Sequence, residues 1–158
     1  MTIRIRPVEP RDLPTLAEFA IALANAHVEL DNRRFVVPDG GVNAFLEFFR
    51  VELARPESIL VIAEDHAMPV GYAFLRMEPA SIEALSETSA WLHDVYVDPS
   101  FRGSGVGRRL ALAAIESARQ LGSSSLMLGV SPANTQARRL YEQLGLRATM
   151  IEMRIDLE

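Results

Sequence analysis

The chain has no cysteine. That excludes disulfides, thiolate metal ligands and a cysteine acyl-enzyme, so any acyl transfer has to be direct or use another nucleophile. Histidine is nearly as scarce. His27, His66 and His93 are scattered without metal-ligand spacing, and no metal site is expected. No apolar run approaches the roughly 20 residues that cross a bilayer, and Arg4, Arg6 and Glu9 stand where a signal peptide would have its apolar core. The expected location is cytoplasmic, with no membrane partner. Repeats and low-complexity tracts are also lacking. Positive charge is outnumbered, 16 basic against 21 acidic residues for a net charge of -5. This is a poor basis for gripping nucleic acid and a better one for a cationic substrate. What is plentiful is core material. With 49% hydrophobic residues in 158, positions 1–158 are expected to form a single domain.

The most informative stretch is Arg102-Gly103-Ser104-Gly105-Val106-Gly107, placed between a strand-like run from Trp91 to Val97 and an apolar helical pattern from Leu110 to Leu121. Glycines let the main chain turn tightly and aim several amide N–H groups at one point, and the positive end of the following helix adds to the field there. A pyrophosphate suits such a loop. Arg102, Arg108 and Arg109 flank it, so the local sign runs against the global one. A Walker loop would need Gly-Lys followed by Ser or Thr, and a dinucleotide fingerprint would need glycine where Arg108 stands; neither fits.

Ile3 and Ile5 alternate with Arg4 and Arg6 as a first strand, and Asp12 precedes Leu13, Leu16, Phe19 and Leu23 as the N-cap of an amphipathic helix. A loop from Asp31 to Gly41 leads to a second helix marked by Val42, Phe45, Leu46 and Phe49. Ser58–Glu64 and Val70–Met77 form a hairpin, and the polar loop Glu78–Ser86 precedes the strand ending at Val97. After the long helix come a strand over Ser125–Val130, a helix over Thr135–Leu144 and a last strand over Arg147–Asp156. Periodicity alone supports an α+β (mixed α/β) domain.

The pattern Arg-x-x-Gly-x-Gly resembles the acyl-coenzyme A signature of the GNAT superfamily of N-acetyltransferases. Two further matches lie in the family's order and spacing: Val95-Tyr96-Val97-Asp98-Pro99 before the loop, and the run Asn134 to Leu146 after it. Together they cover the C-terminal half. The resemblance implies a mixed sheet flanked by helices, with a parallel pair of strands that splays apart to receive acetyl-CoA. As cofactor contacts it implies Val95, Tyr96 and Val97, with backbone bonds from the two valines and the Tyr96 side chain on the opposite face. It also implies the loop amides of Arg102, Gly103, Ser104, Gly105, Val106 and Gly107, with Arg108, Asn134 and Ala137. Asn134 could equally cap the last helix.

The resemblance makes Tyr141 the partner of the departing sulfur. A phenol near pKa 10 gives its proton to a thiolate near 8.5 at a cost of about 2 kcal/mol, so full transfer needs a perturbed tyrosine while a hydrogen bond does not. For the base, Trp91 to Val97 is similar to the Leu-Glu-Asp-aromatic-aromatic-Val strand of diamine acetyltransferases, with His93 in place of glutamate. An imidazole is a competent base at neutral pH. Asp94 is the other candidate, and on a regular strand only one of the two faces the cleft unless the strand is bulged. Ribosomal-protein acetyltransferases carry glutamate where this chain has Gly129, which argues against an N-terminal peptide acceptor. Glu29, Asp31, Asp39, Glu83 and Glu87 are candidate partners for a cationic amine. The reading is therefore direct acetyl transfer to a primary amine of a small molecule, with no nucleic acid involved and a homodimer compatible with it. The rivals are a protein or peptide N-terminal or lysine acetyltransferase, and a non-catalytic coenzyme A-binding module.

Overall fold

The computed structural model describes residues 2–157. Five strands lie in sequence order across one sheet: β1 (Ile3–Pro7), β2 (Ser58–Asp65), β3 (Met68–Glu78), β4 (Ser89–Val97) and β5 (Leu126–Met127). The first four pair antiparallel and β4 pairs β5 in parallel. Helices α1 (Leu13–Leu30) and α2 (Gly41–Leu53) cover one face, while α3 (Val106–Gln120) covers the other; α4 (Thr135–Gln143) follows β5. The α+β class and the mixed sheet are as expected.

Each face has its own core. On one, Leu13, Leu16, Ala20 and Phe49 pack against Leu60, Ile62, Tyr72, Phe74 and Tyr96. On the other, Val106, Leu110, Ala114 and Ala118 pack against Ala63, Val70, Ala73, Leu75 and Leu92. Successive residues of β2 to β4 thus serve different helices, with the alternation reset where the strand pairing shifts register, which is why the central strands read as nearly continuous apolar runs. Gly71 sets how closely the layers approach: a Cβ there would come 2.4 Å from the carbonyl oxygen of Tyr96 and 3.3 Å from Leu110.

Three local expectations are corrected. Asp12 does not cap α1 through its side chain. It accepts the Glu9 amide at 2.8 Å and both terminal nitrogens of Arg6, at 2.7 and 2.9 Å, while Arg6 also reaches Glu64. The strand expected over 125–130 is ladder-bonded only at Leu126 and Met127, opposite Ala90 and Trp91. The last strand, over 147–156, does not form: those residues join no ladder and their apolar side chains are exposed. A strand needs an edge to pair with, and this segment meets none in its own chain.

Candidate active site

Beyond Trp91 and Met127 the parallel pair parts, leaving the β5-side edge of β4 open from Leu92 to Val97. The amide of Asp98 bonds Val70 across the β3 side at 2.9 Å. By alternation Tyr96 also directs its backbone to β3, and Val95 and Val97 direct theirs into the gap. Val95 and Val97 thus turn their backbone groups toward the gap, while the Tyr96 ring lies buried on the opposite, α1 face, 4.9 Å from Phe19.

At the end of β4 the chain makes a 3-10 turn (Pro99–Phe101), held by the Asp98 carboxylate on the amide of Ser100. The loop then enters α3 with Gly103 and Gly105 at φ +76° and +89°. L side chains rarely adopt that conformation, so the glycines hold the turn open by backbone geometry. Nothing crowds a Cβ at Gly105, and one at Gly107 would make ordinary contacts with Leu140 and Val97. Among the described residues, the amides of Gly103 to Arg108 have no backbone partner. The amide of Arg102 differs, being bonded to Pro99 at 3.3 Å, while its Nε donates to the carbonyl of Val97 at 3.2 Å. Arg102 therefore braces the end of β4 and keeps a cationic head beside the loop. The Ser104 hydroxyl donates to the carbonyl of Phe101. Arg108 and Arg109 are exposed in the first turn of α3, where cations oppose the helix dipole unless an anion is present.

The strand is bulged. Leu75 lies opposite Leu92 and Phe74 opposite Asp94, so His93 is the extra residue. Its consequence is direct: His93 and Asp94 both lie on the α1–α2 face. The His93 ring stacks on Phe74 at 5.1 Å and lies 6.4 Å from Trp91, and Asp94 accepts the Tyr72 hydroxyl at 2.9 Å. Burial raises the Asp94 carboxyl above the ordinary aspartate value, opposed by the Tyr72 hydrogen bond and by the charges of His93 and His27. His93 Nε2 lies 2.7 Å from Glu78, which Arg76 also holds at 2.7 and 2.8 Å. Burial pushes the Glu78 carboxyl up, but bonds from Arg76 and His93 outweigh it and leave it lowered. Arg76 is held in turn by the buried Glu52, which Ser58 bonds at 2.6 Å.

Tyr141 is half-buried on α4, packed against the α3-side core. Among the described residues its hydroxyl has no hydrogen-bond partner, yet no buried polar side-chain atom goes unsatisfied, so solvent reaches it. Burial first, and the Asp94 charge second, push its pKa up to about 12. Asn134 caps α4 by accepting the amide of Ala137 at 3.1 Å through Oδ1, a role compatible with a further bond from its carboxamide nitrogen.

Sequence reasoning missed Tyr72, Glu78 and His27 as neighbours of the candidate bases. Tyr72 and Glu78 lie on the neighbouring strand, and His27 is one helical turn beyond Leu23, whose carbonyl its Nδ1 contacts at 2.9 Å. Only strand register could have disclosed the first two. Of the suggested acidic partners for an amine, Asp31 is occupied by the amides of Arg33 and Arg34, and Glu83 accepts from Ser81.

The model of the acetyltransferase (GNAT) family matches residues 22–146. An uncharacterized N-acetyltransferase, YhfO, of Bacillus subtilis is 35% identical over 105 residues, 66% of this chain and 67% of that protein. A mycothiol acetyltransferase of Thermobispora bispora is 36% identical over 92 residues, 58% of this chain but only 31% of its own length. Among solved structures, AAC(6')-Iy in complex with a bisubstrate analog, CoA-S-monomethyl-acetylneamine, superposes with a TM-score of 0.80 at 21% identity, covering 100% of this chain and 99% of that one.

Proposed function

Because the chain belongs to the acetyltransferase (GNAT) family, we propose that it transfers an acetyl group from acetyl-CoA directly to a primary amine of a small molecule. The observation that carries this reading is the parted edge of β4, with unpartnered amides at one end and the solvent-reached hydroxyl of Tyr141 beside it. Unpaired backbone groups in a gap cost about 1–3 kcal/mol each when buried, and an amide chain such as pantetheine satisfies them as an added strand would. The residues therefore fit the coenzyme. The amides of Gly103 to Gly107, with Arg102 and Arg108, hold the pyrophosphate, and Val95 and Val97 hold the amide chain. When bound, acetyl-CoA supplies an activated thioester.

The chain's own part is positioning and proton handling. His93, oriented through Nε2 by Glu78, takes the proton of the entering ammonium directly or through water. An N–H near Val97 stabilises the oxyanion formed when the amine adds to the thioester carbonyl. With its pKa near 12, full transfer of the Tyr141 proton to a thiolate near 8.5 would cost about 5 kcal/mol. Tyr141 therefore acts by donating a hydrogen bond to the departing sulfur. The half-buried Trp91, beside His93 and the half-buried Glu78 carboxylate, suits a small cationic acceptor.

Thiol release from acetyl-CoA with a panel of primary amines tests the reading. All 16 basic residues are arginine, so no lysine of the protein competes as acceptor. Turnover well above hydrolysis is expected with at least one small cationic amine. Tight coenzyme binding with no amine-dependent release would instead make the protein a binding module.

A further inference from the structure

Glu52, the last residue but one of α2, is only 2% exposed. The same helix otherwise turns Phe45 and Phe49 into that core. A carboxylate there is a poor stabiliser, because an apolar side chain of similar size fills a core without taking a charge out of water. Its partners are more informative. Oε2 accepts the Ser58 hydroxyl at 2.6 Å, and Oε1 accepts Arg76 Nη1 at 2.9 Å. Arg76 turns its Nε and Nη2 onto a single oxygen of Glu78, Oε1, at 2.8 and 2.7 Å. That same oxygen lies 2.7 Å from Nε2 of His93.

A planar guanidinium suits this bridge between two carboxylates, since its N–H groups point in fixed directions. Phe74 lies under both ends of the bridge, with the His93 ring stacked on it at 5.1 Å and the guanidinium 5.9 Å from its centroid. Contacts thus run unbroken from a buried carboxylate of α2, across β3, to the imidazole on β4. The other titratable groups toward the ring are Asp94 on its own strand and, across Asp94, His27 of α1; Arg55 reaches Glu52 at 3.5 Å.

This chain of contacts decides which nitrogen of His93 carries hydrogen. Burial raises the Glu78 carboxyl, yet Arg76 and His93 together hold it below its ordinary value, so it is a carboxylate at neutral pH. A carboxylate only accepts. Nε2 must therefore donate, and the lone pair of the neutral ring sits on Nδ1. On the reading of His93 as the base, we infer that Glu52 and Arg76 are positioning residues that lock its Nε2–H tautomer and leave Nδ1 to take the proton of the amine. In that step an N–H bond of the ammonium breaks, its proton bonds to Nδ1, and the electron pair left on the amine nitrogen attacks the thioester carbonyl. The imidazolium keeps its Nε2–H on an anionic Glu78, which stabilises the new charge.

Nitrogen NMR of the full chain with labelled imidazoles, at alkaline pH where the rings are neutral, tests the tautomer without any acceptor. Three histidines contribute, and His93→Ala identifies the signals of that ring. His27 is an internal contrast: its Nδ1 lies 2.9 Å from the Leu23 carbonyl, which only accepts, so it should show the Nδ1–H form. His93 should show the opposite form. Glu52→Gln, and the pair Glu52→Leu/Arg76→Met that leaves neither partner as an orphaned charge, should let His93 exchange between tautomers while the His27 signals stay in place. Both should lower kcat/KM for the amine about tenfold with the coenzyme Kd unchanged. Wild type alone decides the tautomer, so the test survives a variant that fails to fold. A wild-type His93 in the Nδ1–H form or averaged between the two, or folded variants that leave either its tautomer or kcat/KM unchanged, would overturn the inference. If the spectra behave as expected and no amine is turned over, the anchoring of the ring stands and acetyl transfer falls instead.

Discussion

A phenol held near 12 stays protonated across the whole working range of an enzyme, which fixes what Tyr141 can contribute. Tyr141→Phe should lower kcat about 10²-fold, the scale of losing one well-placed donor, with coenzyme Kd nearly unchanged by calorimetry. The wild-type rate should also show no alkaline limb from this group below about pH 11. A limb near pH 9.5 that the Phe variant abolishes would refute the hydrogen-bond role. Asp12 tests a structural residue. The Arg6 hydrogen bonds are the largest influence on its carboxyl and hold it below the ordinary 3.8, against the opposing effect of burial. The sign follows: stability from this pair is fully present above 3.8 and is lost as pH falls through the lower folded value. Asp12→Asn should therefore cost about 3 kcal/mol at pH 7 in urea unfolding, and the gap to wild type should narrow below pH 4. A gap independent of pH would disconnect Asp12 from its charge. At this scale the sequence offers Tyr141 as a candidate through its motif, but the direction of its shift was not legible, because burial and Asp94 act through the fold. Asp12 was misread because Arg6, six residues away, competes for the same carboxylate that a helix cap would use.

The elements were legible where periodicity is strong. Helices α1 to α4 and the β2–β3 hairpin lie where apolar spacing and turn residues place them. The bulge in β4 was not, since one inserted residue changes no local propensity and shows only in the register with β3. It matters more to function than any helix boundary. Without it His93 and Asp94 would face opposite layers; with it both share the aromatic face, and the alternation that starts with Ala90 toward β5 resumes with Val95 and Val97 in the gap. His93→Ala should cut kcat/KM most near neutral pH and recover partly at high pH, where free amine is abundant. Glu78→Gln should give a smaller loss of the same shape, because Glu78 orients the ring without replacing it as base. Profiles of kcat/KM parallel to wild type for both variants would clear this pair of proton transfer.

Across the whole molecule, charge is laid out by side, a feature the net figure of -5 hides. Arg102, Arg108 and Arg109 stand exposed at the head of α3, while Glu78 of β3 and Asp94 of β4 lie on the α1–α2 side of the sheet. The arginine cluster was readable from the sequence because it is contiguous. The acidic side was not, because the Arg76 network joins Glu52 and Glu78 only when α2, β3 and β4 come together. An anionic donor and a cationic acceptor would thus approach opposite fields, each focused by a low-dielectric wall. A tenfold rise in ionic strength shortens the screening length roughly threefold, so the KM values for acetyl-CoA and for a cationic amine should both rise severalfold while kcat changes less than twofold. An acceptor uncharged at the assay pH should keep its KM, which separates field from chemistry. Arg102→Ala/Arg108→Ala should flatten the salt dependence for acetyl-CoA alone and leave that of the amine intact. If both dependences flattened together, the two entrances would share one field, and the division of the gap into an anionic guest's side and a cationic guest's side would be wrong.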